Sequence, residues 1–225
     1  MINPKIIYED EDIAVIYKPA AFPSQSADIT KDDVVSFLKK HISKQGIKPY
    51  VALISRLDQP VEGLMVLAKN KIAGANLSKQ MQNRKIEKIY LSAIKGKIDP
   101  PSGTMEDYLV KDKHNNISRV CKKNEPGAKS ARLFYETVSQ MDDKSLVRIK
   151  LDTGRHHQIR VQFATRGYPL LGDRKYSREN DVASAIALCC ERIIFTHPKT
   201  NKKMDYKIEP NGDIFKIFNK SIKEQ

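Results

Sequence analysis

Two apolar, β-branched runs, Ile6-Ile7-Tyr8 and Ile13-Ala14-Val15-Ile16-Tyr17, flank the acidic stretch Glu9-Asp10-Glu11-Asp12. That pattern predicts an opening hairpin ending at Lys18-Pro19. A helix is expected from Thr30, with Thr30 as its cap, Asp33 at the third position, Ile29 stapled to Val34, and Val34, Leu38 and Ile42 on one face. Val51-Ala52-Leu53-Ile54 and Leu64-Met65-Val66-Leu67-Ala68 read as short buried strands around a polar loop, Ser55 to Gly63. Residues 71 to 85 carry helical spacing, with Ala73, Leu77 and Met81 inward. Residues 86 to 95 alternate, which places Ile89, Leu91 and Ala93 on one strand face and Lys88, Tyr90 and Ser92 on the other. Further strands are expected between 103 and 138, around turns at Lys113-His114-Asn115-Asn116 and Asn124-Glu125-Pro126-Gly127. Val147, Ile149 and Leu151 alternate into the turn Asp152-Thr153-Gly154-Arg155; Ile159, Phe163 and Ala164 then take helical spacing up to Gly167, and strands follow near 192–196 and 204–208.

Strands outnumber helices and come as hairpins rather than as strand–helix–strand units, so the fold class is α+β with a largely antiparallel mixed sheet. No repeat, linker or low-complexity stretch divides the 225 residues, and a single domain over 1–225 is expected, with no separate domain before strand-like sequence begins at Ile6.

Forty Lys and Arg against 27 Asp and Glu give a formal charge of +13, which favours a polyanionic partner and makes nucleic acid the default. Three cysteines, Cys121, Cys189 and Cys190, form no C-x-x-C pair and suit a reducing compartment, hence a cytosolic protein. No run of about 18 apolar residues is present to span a membrane.

Dinucleotide and phosphate-loop motifs are missing, as are metal signatures of the H-E-x-x-H or paired C-x-x-C kind. His156 and His157 are neighbours, and on a helix their side chains diverge by about 100°, which argues against a shared metal. The expected chemistry needs neither cofactor nor metal. Asp58 is a carboxylate in a loop between apolar strands, where it requires a cationic neighbour. Read alone, it is more readily an Asx-type turn residue ahead of Pro60. Tyr90 shares a strand face with Lys88 and Ser92, which suits a place in a cleft, although a strand tyrosine is more commonly a packing residue with a wet tip. Thr153-Gly154-Arg155-His156-His157-Gln158-Ile159-Arg160 is a strand end, a glycine turn and a helix start dense in donors, suited to a phosphate or a buried carboxylate.

Together these segments resemble the RluA-type family of RNA pseudouridine synthases. The resemblance spans Asp10 to Pro19, Arg56-Leu57-Asp58 with Gly63-Leu64, Lys88 to Ala93, Thr153 to Arg160, and Gly167-Tyr168-Pro169-Leu170-Leu171-Gly172-Asp173. It implies that Asp58 is the catalytic nucleophile, that Tyr90 lies against the target base, and that Arg160 pairs with the catalytic carboxylate and keeps it ionised. It further implies that Ile159 packs on the other side of the uracil and that Arg56 fills the place of an everted nucleotide. Arg155, His157 and Gln158 complete the expected substrate-binding set. The implied partner is RNA, ribosomal and/or transfer, acted on by a chain for which a monomer is favoured.

Two departures accompany the match. Ser55 stands where the family usually has His, and Ala20-Ala21 follow Lys18-Pro19 where a Gly is common, so the shape of that loop is expected to differ. A non-catalytic RNA-binding protein or RNA chaperone retaining this fold is the main alternative, and a cofactor-free hydrolase with Asp58 as base is another. Arg160→Ala is expected to weaken activity far more than folding.

Overall fold

The computed structural model describes residues 3–28, 30–177, 185–218 and 222. In chain order the elements are strands β1 (Lys5–Glu9) and β2 (Ile13–Lys18), helix α1 (Val34–Lys44), strands β3 (Ala52–Leu53) and β4 (Glu62–Ala68), and helix α2 (Lys71–Gln82). Then come β5 (Glu87–Lys95), β6 (Ser102–Asp112), β7 (Ile117–Cys121), β8 (Lys129–Met141), β9 (Lys144–Leu151), α3 (Gln158–Thr165), β10 (Leu188–Thr196) and β11 (Lys203–Lys207). The α+β class and the predominance of antiparallel pairing match the sequence pattern. Among the described residues, no helix is long and apolar enough to cross a membrane.

The chain divides into two compact units: Met1–Lys88 with Cys189–Pro210, and Ile89–Leu188 with Asn211–Gln225. In the first, the opening hairpin forms as the pattern predicts, and β2 runs antiparallel along β4 from Ile13↔Ala68 to Lys18↔Gly63. The other edge of β4 is shared: β3 pairs with its end at Leu67 and Ala68, and β10 pairs parallel with its start at Glu62 and Gly63. Every residue of β2 and β4 is buried, and their side chains, with Ala73, Leu77, Ile193 and Phe195, make the core of this unit. The gap between β3 and β4 is the loop that carries Asp58, so a polar loop leaves and re-enters a rigid core at fixed points.

Helix α1 buries Val34, Leu38 and Ile42 as expected, but its cap is Asp33 rather than Thr30. The Asp33 carboxylate accepts from the Ser36 amide at 2.6 Å while the Ser36 hydroxyl accepts from the Asp33 amide at 2.9 Å, a reciprocal box that closes three residues later than the sequence suggested. Thr30 instead donates to Asp28 in a separate turn, and the Ile29 staple lies outside the described residues. Gln80, on α2, spends its side-chain amide on both backbone groups of Thr196 and thereby acts as a pairing partner for β10.

A group of Asp10, Asp12 and His197 brings potential ligand atoms within 4.8 Å of one another. Its lone pairs are already used: Asp10 accepts from the Asp12 and Ile13 amides, from Tyr8 and from His197, and His197 Nδ1 accepts from the Lys199 and Thr200 amides. The cluster is a hydrogen-bonded knot that ties the β1–β2 turn to the segment after β10.

In the second unit the strands lie in the order β5-β9-β8-β6-β7, all antiparallel. Helix α3 buries every residue from Gln158 to Phe163, and Phe163 meets Tyr135 of β8 edge-on at 5.7 Å. The two turns proposed between 103 and 138 fall between β6 and β7 and between β7 and β8, and Gly167 ends α3 region with φ 84°, as a helix stop should.

Candidate active site

Asp58 is half-buried in the β3–β4 loop, following an exposed Arg56 and a buried Leu57. Two side chains from the end of the opening hairpin hold that loop. The Ser24 hydroxyl, 4 % exposed, accepts from the Leu57 amide at 3.1 Å and donates to the Leu57 carbonyl at 2.7 Å, so one side chain satisfies both backbone groups next to Asp58. On the other side Lys18, fully buried, donates to the carbonyls of Gln59 (3.1 Å), Phe22 (2.8 Å) and Pro19 (3.0 Å). A tight turn closes the loop, with the Val61 amide donating to the Asp58 carbonyl at 3.0 Å. Its far end enters β4 through Glu62, which accepts from the Tyr17 hydroxyl at 2.6 Å.

The hairpin end that grips the loop contains the departure noted above. Ala21 sits at φ 65°, a left-handed conformation natural to glycine, so the glycine-like turn is kept by an alanine at a strain of roughly 1 kcal/mol. Gln59 then donates to the Ala21 carbonyl at 3.1 Å.

Burial pulls the Lys18 amine down to about 7, and the negative charges of Asp58 and Glu62 oppose that pull. Three carbonyl acceptors also match the three N–H groups of an ammonium, so geometry and charge both favour the protonated form against desolvation. The stability consequence has a definite sign. Below about pH 7 both folded and unfolded chains carry the proton and the full burial cost is present; above it only the unfolded chain, near 10.5, still binds it, so stability climbs with pH. Urea midpoints at pH 7 and pH 10 are expected to show this climb in the wild type, by on the order of a few kcal/mol, and to lose it in Lys18→Met. Equal slopes in the two proteins overturn the assignment.

The remaining sequence-derived residues lie in the second unit. Tyr90 stands on β5 opposite Ile149 and is 5 % exposed. Its strand is covered on both faces: Ser92, on the expected polar face, is fully buried and donates to the Ala187 carbonyl at 2.7 Å. Tyr90 is therefore a buried phenol in a two-sided core strand rather than part of a polar face. Ile159, 5 % exposed, and Arg160, 4 % exposed, are neighbours on α3.

The donor-rich turn before α3 is used largely within the unit. The Gln158 side chain accepts from the Thr153 hydroxyl (2.8 Å) and the Arg155 amide (3.0 Å) and donates to the Arg132 carbonyl (3.1 Å). Arg155 is exposed, and its Nε donates to the Ser130 carbonyl at 2.9 Å. His157 is not on the helix: it caps α3 with φ 53°, and this left-handed backbone stacks its ring on that of His156, with centroids 3.7 Å apart. Adjacent side chains diverge by about 100° only on helical backbone, and His157 does not have it, so the two rings lie together instead of apart. Burial, with the positive charge of Arg160 second, pushes His157 down to about 2, so its ring is neutral across the physiological range.

Arg160 forms a bidentate pair with Asp173, Nε to Oδ2 at 2.8 Å and Nη2 to Oδ1 at 2.6 Å, with both side chains buried. Arg160→Ala is therefore expected to cost stability as well as turnover, since stripping one partner from a buried ion pair costs about 3–5 kcal/mol. Lys18 and Asp173 stand in segments that carry the resemblance but receive no role there, and Ser24 is marked only as a serine among turn residues.

A family model described as RNA pseudouridylate synthase matches residues 12–165, a span that holds Asp58, Tyr90 and Arg160. An uncharacterized RNA pseudouridine synthase of Aquifex aeolicus is 35% identical over 219 residues, covering 91% of this chain and 68% of that protein. The dual-specificity RNA pseudouridine synthase RluA of Yersinia pestis is 31% identical over 211 residues, covering 91% of this chain and 98% of its own length. Among solved structures, human RNA Pseudouridylate Synthase Domain Containing 4 superposes with a TM-score of 0.77 at 23% identity, over 97% of this chain and 92% of the other, a likeness of fold.

Proposed function

This chain belongs to the RNA pseudouridylate synthase family, and from that premise we propose that it isomerises uridines in structured RNA with Asp58 as the nucleophile. The observation that carries this reading is the clamped β3–β4 loop: the carboxylate of the R-L-D motif is half-buried in a segment whose backbone is hydrogen-bonded by the buried Ser24 and Lys18. A nucleophile held in one place by its neighbours loses little freedom on reaching the transition state.

The reaction breaks the C1′–N1 bond of uridine, turns the detached base, and joins C1′ to C5, after which the C5 proton leaves. Asp58 supplies the carboxylate at the sugar or the base, Arg160 its cationic partner, Tyr90 and Ile159 the walls for the uracil, and Arg56 the group that takes the place of the everted nucleotide. Eversion costs a few kcal/mol of unstacking, which basic contacts offset; the formal +13 charge serves that end. Loops in structured RNA meet the requirement most cheaply, because their bases are unpaired. Ribosomal and transfer RNA are the substrates assigned in this reading, one catalytic domain spans the whole chain, and the compartment is the cytosol, in keeping with three cysteines outside any disulfide.

RNA carrying tritium at C5 of uridine tests the proposal. Total RNA from a strain lacking the protein is expected to release tritium to water on incubation with the wild type, with the RNA chain intact. No release overturns the enzymatic reading, and a free base or cut strand points to hydrolysis instead.

A further inference from the structure

The catalytic reading leaves Asp173 without a task. Asp173 is 1 % exposed, and besides its fork with Arg160 its Oδ1 accepts the Lys175 amide at 3.0 Å. Its own carbonyl accepts the Ser177 amide at 2.9 Å, so the acid is built into a turn that its backbone shapes. Three residues on, the ring of Tyr176 faces the guanidinium, with Arg160 Cζ 5.2 Å from the ring centroid. The Tyr176 oxygen accepts from the Ser118 amide at 2.7 Å and shares a hydrogen bond with His157 Nδ1 at 2.9 Å.

An arginine side chain has four rotatable bonds and a planar head, and an acid that takes Nε and one terminal nitrogen together fixes the plane and the direction of the remaining edge. We propose that Asp173, backed by the Tyr176 ring, is a positioning residue for Arg160: it sets the guanidinium plane so that the Nη1 edge is offered in one direction during the reaction. The inference rests on the catalytic role given to Arg160 above. The alternative is a purely structural ion pair that pins the 170–177 turn to α3.

Asp173→Asn keeps the shape of the side chain and removes the charge that grips the fork. Measured by tritium release, its kcat is expected to fall about 100-fold, the scale of an ångström-sized misplacement, with KM within about threefold of wild type. Made on top of Arg160→Met, the same substitution is expected to change the residual single-turnover rate by less than about twofold, because the group through which it acts is already gone. Melting runs the other way. The double variant is expected to melt above Arg160→Met alone, since the buried carboxylate has lost its charge together with its partner.

An Asp173→Asn protein with kcat within about threefold of wild type overturns the proposal, as do rate losses that multiply in the double variant. Should Asp173→Asn fail to fold, Tyr176→Leu takes the same test, with kcat expected to drop about tenfold at unchanged KM; an unchanged kcat there overturns it too. If Arg160→Met retains wild-type turnover, it is the role of Arg160 that fails. An inactive Arg160→Met beside an active Asp173→Asn leaves that role standing and removes only Asp173 from it.

Discussion

Asp58→Asn is expected to abolish tritium release, with a loss of roughly 10⁴-fold or more, while RNA binding stays within about threefold and the melting temperature within a few degrees. Asparagine has the size and shape of the acid but neither its charge nor its nucleophilic oxygen pair, and it cannot take up a proton as a base does. The backbone of the loop is held by groups other than the carboxylate. Its path is held by the Leu57 amide and carbonyl, the Gln59 carbonyl and the Asp58 carbonyl, all of them backbone groups that the substitution leaves untouched. A measured rate within tenfold of wild type would remove Asp58 from the role of nucleophile and leave the family assignment to find another acid.

A methyl group at Gly63 should be among the most damaging changes in the first unit. A Cβ there would lie 2.4 Å from the Cys190 amide nitrogen, 2.6 Å from its carbonyl oxygen and 2.8 Å from its Cα, so it meets only backbone. The glycine also sits at φ 130°, where an L side chain is strained whatever the space. Relief requires β4 and β10 to separate at their parallel contact, Cys190↔Gly63, in a strand that is buried throughout. We expect Gly63→Ala to cost about 3–5 kcal/mol, a large part of the stability of a typical domain, and to lower the melting temperature by about 10 °C or more. Thermal melts and soluble yield check this, and a variant melting within about 3 °C of wild type refutes the close approach. The position also matters for function, since the β4–β10 pairing anchors the end of the Asp58 loop.

Gly63 illustrates how the candidate site was legible. Its place after R-L-D is visible in the sequence, whereas the reason for it is the backbone of a strand more than a hundred positions later. Asp58, Arg56 and Arg160 stood out as charged residues in motifs. The clamp on the Asp58 loop did not, because Lys18 and Ser24 act through hydrogen bonds to backbone carbonyls and an amide, groups that almost any residue supplies.

What the sequence determined by itself is what nearest neighbours decide. The opening hairpin, the buried stripes of α1 and α2, the turns flanking β7 and the stop after α3 all follow from alternation, helical spacing and turn residues, which depend on a few adjacent side chains. Even there a local competition was misjudged: Thr30 and Asp33 are both good caps, and the reciprocal bond with Ser36 selected Asp33. The tertiary structure alone decided which faces are covered, so that β5 is buried on both sides and Tyr90 with it. It alone turned His157 left-handed onto His156, drew down the Lys18 and His157 protons, and gave Arg160 to Asp173. Burial, proton affinity and ion-pair partnership depend on the distance between atoms far apart in the chain and on the water excluded between them, and neither quantity exists until the chain has packed.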